Sequence, residues 1–181
     1  VNTWTFDPTT GQVIAATGNG DSISHAGNDN PEVDGRRLSD SDPSWWDTTR
    51  SVITQTYTIV PILIGPNGHQ REIRIAKLGA TGNESETIGR EGSYNQQTML
   101  VTNSYVVQGL RILLVSTVGD GEILESHSGG DVRPTAGDPG NTDSINEENW
   151  WDTTVGALHQ DYRIFFGAIS KLSRSTSDSI T

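Results

Sequence analysis

The chain has 181 residues, of which 32% are hydrophobic, and its 23 acidic and 12 basic side chains give a formal net charge of −11. This length suits one sandwich or barrel with a substantial core, and the negative charge repels DNA and RNA, so direct nucleic-acid binding is not expected. Cysteine is absent, which excludes disulfides, thiolate metal sites and cysteine nucleophiles. No apolar run approaches the roughly 20 residues that a membrane helix needs.

The basic residues are unevenly divided between lysine and arginine. Only Lys77 and Lys171 are lysines. An acidic surface with few lysine stems favours salt-rich surroundings, because carboxylates hold water and hydrated cations when salt screens their repulsion. An acidic protein of ordinary salt conditions is the alternative interpretation.

The chain is divided into short segments by glycine, proline and small polar residues, a pattern typical of strands and turns. The clearest strand prediction covers 51–64, where Ile53, Tyr57 and Ile59 alternate with threonines. The glycine and proline that follow predict a β-hairpin to a strand at 72–76. Other strands are predicted at 12–17, 98–107, 110–118, 122–125 and 162–172, and polar loops or arms at 79–93 and 174–179.

A degenerate repeat is the most informative feature of the sequence. Trp45-Trp46-Asp47-Thr48-Thr49 returns 105 residues later as Trp150-Trp151-Asp152-Thr153-Thr154. The further matched positions are Ile53 and Leu158, Gln55 and Gln160, Tyr57 and Tyr162, Ile59 and Ile164, Ile64 and Ile169, and, upstream, Gly18-Asn19-Gly20-Asp21 with Gly119-Asp120-Gly121-Glu122 and Ser24-His25-Ala26-Gly27 with Ser126-His127-Ser128-Gly129. Two copies are too few for a solenoid, so we expect an internal pseudo-duplication, with copies of roughly 1–95 and 100–181, inside a single β domain over 1–181.

These observations predict an all-β fold, a jelly-roll sandwich or barrel of about eight strands with long acidic loops. The loops are predicted at 21–47 and 120–152, where oxygen ligands are dense enough to hold calcium. The candidate ligands are Asp29, Asp34, Asp131 and Asp138. A simple solvated acidic loop explains the same residues, since the spacing of an EF-hand is absent.

The tryptophan pairs allow two interpretations. Exposed indoles stack on sugar rings, and the neighbouring carboxylates of Asp47 and Asp152 accept hydrogen bonds from sugar hydroxyls. Alternatively, the aspartates cap turns and some of the four tryptophans fill the ends of the core. The four tryptophans are Trp45, Trp46, Trp150 and Trp151. The repetition of the element favours this structural interpretation, because a symmetric fold needs the same filling side chains at both of its ends.

No catalytic constellation is predicted, and we expect no enzyme and no cofactor other than calcium or another cation. Gly-x-Ser-x-Gly is absent, and the acids lack the apolar surroundings that raise the pKa of a glycosidase carboxyl. His25 and His127 occupy matching positions without the spacing of a metal site. We expect them to cap turns.

In size, composition and expected strand number the chain resembles the small single-jelly-roll major capsid proteins of icosahedral, internal-membrane viruses that infect halophilic archaea. The resemblance covers overall character, and no site residue is carried over from it. It implies a structural subunit of a virion shell, with copies of itself and other shell proteins as partners, close to a membrane. The alternatives are a secreted carbohydrate-binding module that uses the Trp-Trp-Asp elements, and a subunit of a phage tail fibre or pilus.

Overall fold

The computed structural model describes residues 1–28, 45–66, 69–89, 92–127 and 152–181. These residues form eight strands in one antiparallel sheet, and every strand pairs with its neighbour in chain order. The strands are β1 (Asn2–Phe6), β2 (Val13–Asn28), β3 (Trp45–Ile64), β4 (Arg71–Gly89), β5 (Tyr94–Gln108), β6 (Arg111–His127), β7 (Thr154–Phe165) and β8 (Ile169–Ile180). The prediction of an all-β fold is confirmed.

The jelly-roll arrangement is not found in the described residues. A jelly roll needs two packed sheets joined by connections that skip neighbouring strands, whereas these eight strands follow one another in a single open sheet. The number of predicted strands was correct, but strand number alone does not distinguish a meander from a Greek key. Most of the predicted acidic loops, at 29–44 and 128–151, lie outside the described residues.

Polar sequence forms strand in two places where loops were predicted. The segment 79–93 lies largely in β4, which is paired on both sides by β3 and β5, and 174–179 lies in β8, paired with β7. Backbone pairing with a neighbour stabilises these strands without an apolar side-chain pattern. The predicted strand at 162–172 is instead a hairpin that turns at Phe166 and Gly167, whose φ angles are 55° and 61°. The predicted hairpin between β3 and β4 is confirmed.

The two faces of the sheet differ in polarity. One face, called here the apolar face, carries Trp4, Ile53, Tyr57, Ile59, Leu78, Met99, Val101, Tyr105, Leu114, Ile123, Leu158, Tyr162, Ile164 and Leu172. The opposite face, called here the charged face, carries Asp21, Arg50, Glu84, Glu86, Asp120, Glu122, Glu125, His159, Asp161, Arg163, Arg174 and Asp178. Side chains alternate between the faces because successive Cβ atoms of a strand point in opposite directions.

Little of the described chain is fully buried. The buried apolar side chains are Ala16, Val60, Ile62, Tyr94 and Leu114, and none of the described residues has less than 2% of its surface accessible. Described strands contact only their neighbours and next neighbours in the sheet. No second layer therefore packs on the apolar face among the described residues.

The sheet divides into two units of four strands, β1–β4 (the first unit) and β5–β8 (the second unit), with irregularities at matching places. The shift at Thr5/Phe6, where β1 pairs with β2, matches the shift at Ser104/Tyr105, where β5 pairs with β6. The shift at Thr56/Tyr57, where β3 pairs with β4, matches the shift at Asp161/Tyr162, where β7 pairs with β8. In β6, Leu124 is an extra residue between Ile123, which pairs with Gln97, and Glu125, which pairs with Gln96. This bulge accounts for the change in the sequence offset from 101 to 102. Bulges at matching places are what two copies of one four-stranded unit produce.

Candidate functional site

The Trp-Trp-Asp elements lie where β3 begins and where β7 is about to begin. Trp46 lies on the charged face with 48% of its surface exposed, and Asp47, the next residue of β3, is exposed on the opposite face. Asp152 is half-buried just ahead of β7. Trp45 is the first residue of β3.

Several candidate residues cannot be placed. Trp150 and Trp151 lie outside the described residues, as do the candidate calcium ligands Asp29, Asp34, Asp131 and Asp138. Within the described ranges, no group of three or more histidine or acidic side chains is arranged to hold a metal ion. The calcium hypothesis therefore stays a prediction about the loops at 29–44 and 128–151.

The two repeated histidines make the same contact in both units. His25 Nδ1 lies 3.0 Å from Thr48 Oγ1, and His127 Nδ1 lies 3.1 Å from Thr153 Oγ1, the matching atom of the second repeat. Both histidines sit in strands and reach across to the Trp-Trp-Asp-Thr-Thr element rather than capping a turn. After His25 the chain does not turn but continues its pairing with β3 as far as Asn28.

Around His127 the sheet holds a buried polar network that the sequence did not predict. The imidazole is 3% exposed, and the Tyr94 ring stacks on it with 6.3 Å between centroids. Nδ1 also lies 2.8 Å from the Asp152 carbonyl oxygen, and Nε2 lies 2.9 Å from Glu125 Oε1. The Tyr94 hydroxyl donates to Glu86 Oε1 at 3.1 Å.

Burial raises the pKa of the Tyr94 hydroxyl above its usual value, and the Glu86 carboxylate raises it further. The phenol therefore stays protonated and remains a donor to Glu86 across the neutral and alkaline range. A buried tyrosine, histidine and carboxylate are also the groups of acid–base catalysis, but the two rings are inaccessible to a substrate. The network joins β4, β5 and β6 to the second Trp-Trp-Asp element.

Two more side-chain contacts occur in both units. The Tyr57 hydroxyl donates to Gln55 Oε1 at 3.4 Å, and the Tyr162 hydroxyl donates to Gln160 Oε1 at 2.7 Å. Thr49 Oγ1 lies 2.9 Å from Thr87 Oγ1, and the matching pair, Thr154 and Thr181, is 2.7 Å apart. The sequence repeat thus corresponds to repeated side-chain geometry.

His159 forms the clearest electrostatic feature of the charged face. Its Nδ1 lies 2.7 Å from Asp120 Oδ1 and its Nε2 lies 3.2 Å from Asp161 Oδ1. Hydrogen bonds to Asp120 and then Asp161 raise the pKa of the imidazole above its usual value. All three side chains are exposed, so the group links β6 to β7 without forming an enclosed site.

Comparisons with protein-family models, with curated proteins and with solved structures found no match. No helix in the described part of the chain is long and apolar enough to cross a membrane. The features that bear on function are therefore those of the chain itself: a one-layer sheet, an apolar face with no second layer among the described residues, and a repeated set of side-chain contacts.

Proposed function

We propose that the chain is a structural subunit of an extracellular assembly, a virus shell in the first instance, in which a second copy covers the apolar face. The observation that carries this proposal is the one-layer sheet, whose apolar face has no second layer among the described residues. A sheet that is apolar on one face needs another layer against that face. A second copy supplies such a layer through a twofold, self-complementary contact.

The geometry of sheet packing supports this assignment. Two sheets packed face to face at a spacing of about 10 Å form an ordinary β-sandwich core. The two-layered architecture implied by the capsid resemblance would then come from two molecules rather than from one.

Charge sets the conditions for association. Because the chain carries 23 acidic and 12 basic residues, copies repel one another until salt screens their carboxylates. The charged face remains in water when the apolar faces meet. A salt-rich environment, as the acidic composition and the capsid resemblance suggest, would therefore favour the assembled state.

Sedimentation of the purified chain from low to multimolar salt, with and without calcium, tests the proposal. We expect monomers at low salt and dimers or larger species at high salt, and negative-stain images should then show regular particles. A folded monomer at every salt concentration would overturn the proposal.

A secreted carbohydrate-binding module is the second candidate, and the exposure of Trp46 favours it. An indole that is 48% exposed offers an apolar ring face on which a sugar can stack. Polysaccharide should quench the fluorescence of the native chain more than that of Trp46→Ala. Equal quenching of the two proteins would remove this candidate.

A further inference from the structure

Charge is distributed unevenly along the length of the sheet. In this antiparallel meander the turns β1–β2, β3–β4, β5–β6 and β7–β8 lie at one end. The turn end is defined here as the residues between the matching register shifts and these turns, 6–13, 57–78, 105–114 and 162–172. It holds six basic residues, Arg71, Arg74, Lys77, Arg111, Arg163 and Lys171, and two acidic ones, Asp7 and Glu72. The turn end therefore has a formal charge of +4, whereas the whole chain has −11.

Within the turn end, the β7–β8 hairpin carries two cations side by side. Arg163 pairs directly with Lys171 across the hairpin. Arg163 Cζ lies 5.4 Å and Lys171 Nζ 5.8 Å from the centroid of the Phe165 ring. Neither cation has a carboxylate partner in the described part of the chain. Like charges directly opposite each other destabilise an antiparallel pair, so an anion that contacts both cations would remove this repulsion.

Apolar side chains lie beyond these cations, at the turn itself. Phe166 is 93% exposed, and its φ of 55° is costly for a bulky residue. Ile169, which is 52% exposed, pairs with Phe165 on the face that carries the cations. A strand advances about 3.3 Å per residue, so Arg163 lies about 10 Å behind Phe166. These residues are called here the basic tip, which consists of Arg163, Phe165, Phe166, Ile169 and Lys171.

The neighbouring β5–β6 turn has a similar composition. Leu110 is 70% exposed at this turn, and the exposed Arg111 follows it. The two hairpins touch, because the Leu114 N–H donates to the Gly167 carbonyl oxygen at 2.7 Å. Exposed apolar side chains with cations beside them are thus shared by both turns of the second unit.

The first unit lacks this combination at the matching positions. At the repeat offset of 105 residues, Thr58 stands in place of Arg163 and Pro61 in place of Phe166. Lys77 pairs with Thr58, so it has no second cation across the hairpin. The four-stranded unit therefore forms without a basic tip, and the tip gives the second unit a property of its own.

We infer that the basic tip binds an anionic membrane surface, with Phe166 at the outer ends of the lipid chains and Arg163 and Lys171 among the phosphate groups. Apolar side chains of interfacial segments enter a bilayer by about 5–10 Å, a depth similar to the spacing between Phe166 and Arg163. Long basic side chains stay in the headgroup layer while their apolar neighbours lie deeper. The positive charge of the turn end directs it toward such a surface.

Charge and shape favour a membrane over a second copy of this chain. A second copy presents carboxylates on its charged face and apolar side chains on the opposite face, so neither face offers both to one tip. A bilayer surface offers both within about 10 Å of depth. The inference goes beyond the proposed self-association and does not depend on it, because the basic tip lies outside the apolar face.

Co-sedimentation of the purified chain with vesicles at about 0.1 M salt tests the inference. We expect binding to phosphatidylcholine vesicles that contain about 30% phosphatidylglycerol, and little binding to phosphatidylcholine alone. Lys171→Gln should weaken binding about fivefold, since it removes one cation from the surface. Phe166→Ser should weaken binding roughly tenfold or more, since it removes the apolar side chain that enters the bilayer.

Two residues of the first unit supply matched controls. Lys77→Gln removes one cation four strands away, about 19 Å from Lys171 and beyond the screening length at this salt concentration. Phe6→Ser removes a phenylalanine that is 56% exposed beside the acidic Asp7. Both variants should bind vesicles like the wild type.

Equal binding to neutral and anionic vesicles, or binding of Phe166→Ser at the wild-type level, would overturn the inference. Sedimentation equilibrium in high salt separates it from the proposed function. The tip variants should associate like the wild type, and a loss of self-association in Phe166→Ser would show that the tip contacts another copy instead. A wild-type chain that binds anionic vesicles but stays monomeric at every salt concentration would overturn the proposed function alone.

Discussion

At the residue scale, Gly20 and Gly121 provide a direct comparison between the two units. Gly121→Ala would force a methyl group against the β5 backbone at Thr98, and such overpacking costs about 1–3 kcal/mol of unfolding free energy. Gly20→Ala has open space and should change stability by less than about 1 kcal/mol. Urea unfolding at low salt, where the proposed association is weakest, measures both values.

An equal loss of stability in the two variants would contradict the difference in packing around the two glycines. Sequence matching identifies the two glycines as equivalent, but only the pairing of β5 with β6 shows why one of them tolerates no side chain.

His159 gives a prediction about pH. Its folded-state pKa is raised by Asp120 and Asp161, so its contribution to stability is fully present below the unfolded value of about 6.5. The contribution is lost as pH rises through the raised folded-state pKa. The stability difference between the wild type and His159→Gln should therefore shrink as pH increases, and urea midpoints from pH 5.5 to 9 measure it. A difference that grows with pH would contradict the ion-pair assignment.

At the element scale, Tyr94 of β5 joins two further strands, β4 through its hydroxyl and β6 through its ring. Tyr94→Phe leaves the ring stacked on His127 but removes the donor to Glu86. Losing a buried hydrogen bond of this kind costs about 1–2 kcal/mol. Tyr57→Phe, at a half-buried hydroxyl with a 3.4 Å bond, is the matched control and should cost less. Denaturant unfolding compares them, and equal costs would argue against the network.

Apolar alternation predicted the strands in which one face is apolar, such as the Ile53–Tyr57–Ile59 run. It failed for the second half of β4 and for β8, where small and polar residues fill both faces and pairing with a neighbour decides the structure. The network at His127 was also missed because it depends on strand pairing. Glu86, Tyr94 and Glu125 lie in three different strands, and only the register of those strands brings them together.

At the scale of the whole molecule, the repeat in sequence corresponds to two four-stranded units with matching bulges and matching His–Thr, Tyr–Gln and Thr–Thr bonds. The repeated motif identified the equivalent positions but not the path of the chain between them. The sequence predicted a two-layered sandwich, but the described residues form a single sheet. Association is thus the central question for this protein.

Two substitutions on β8 test the face contact most directly. Leu172 lies on the apolar face and Ile169 on the charged face, with exposures of 53% and 52%, so aspartate at either position perturbs the monomer to a similar extent. Sedimentation equilibrium in high salt should show that Leu172→Asp weakens association at least tenfold, while Ile169→Asp associates like the wild type. Equal association of the two variants would contradict the proposal that a second copy covers the apolar face.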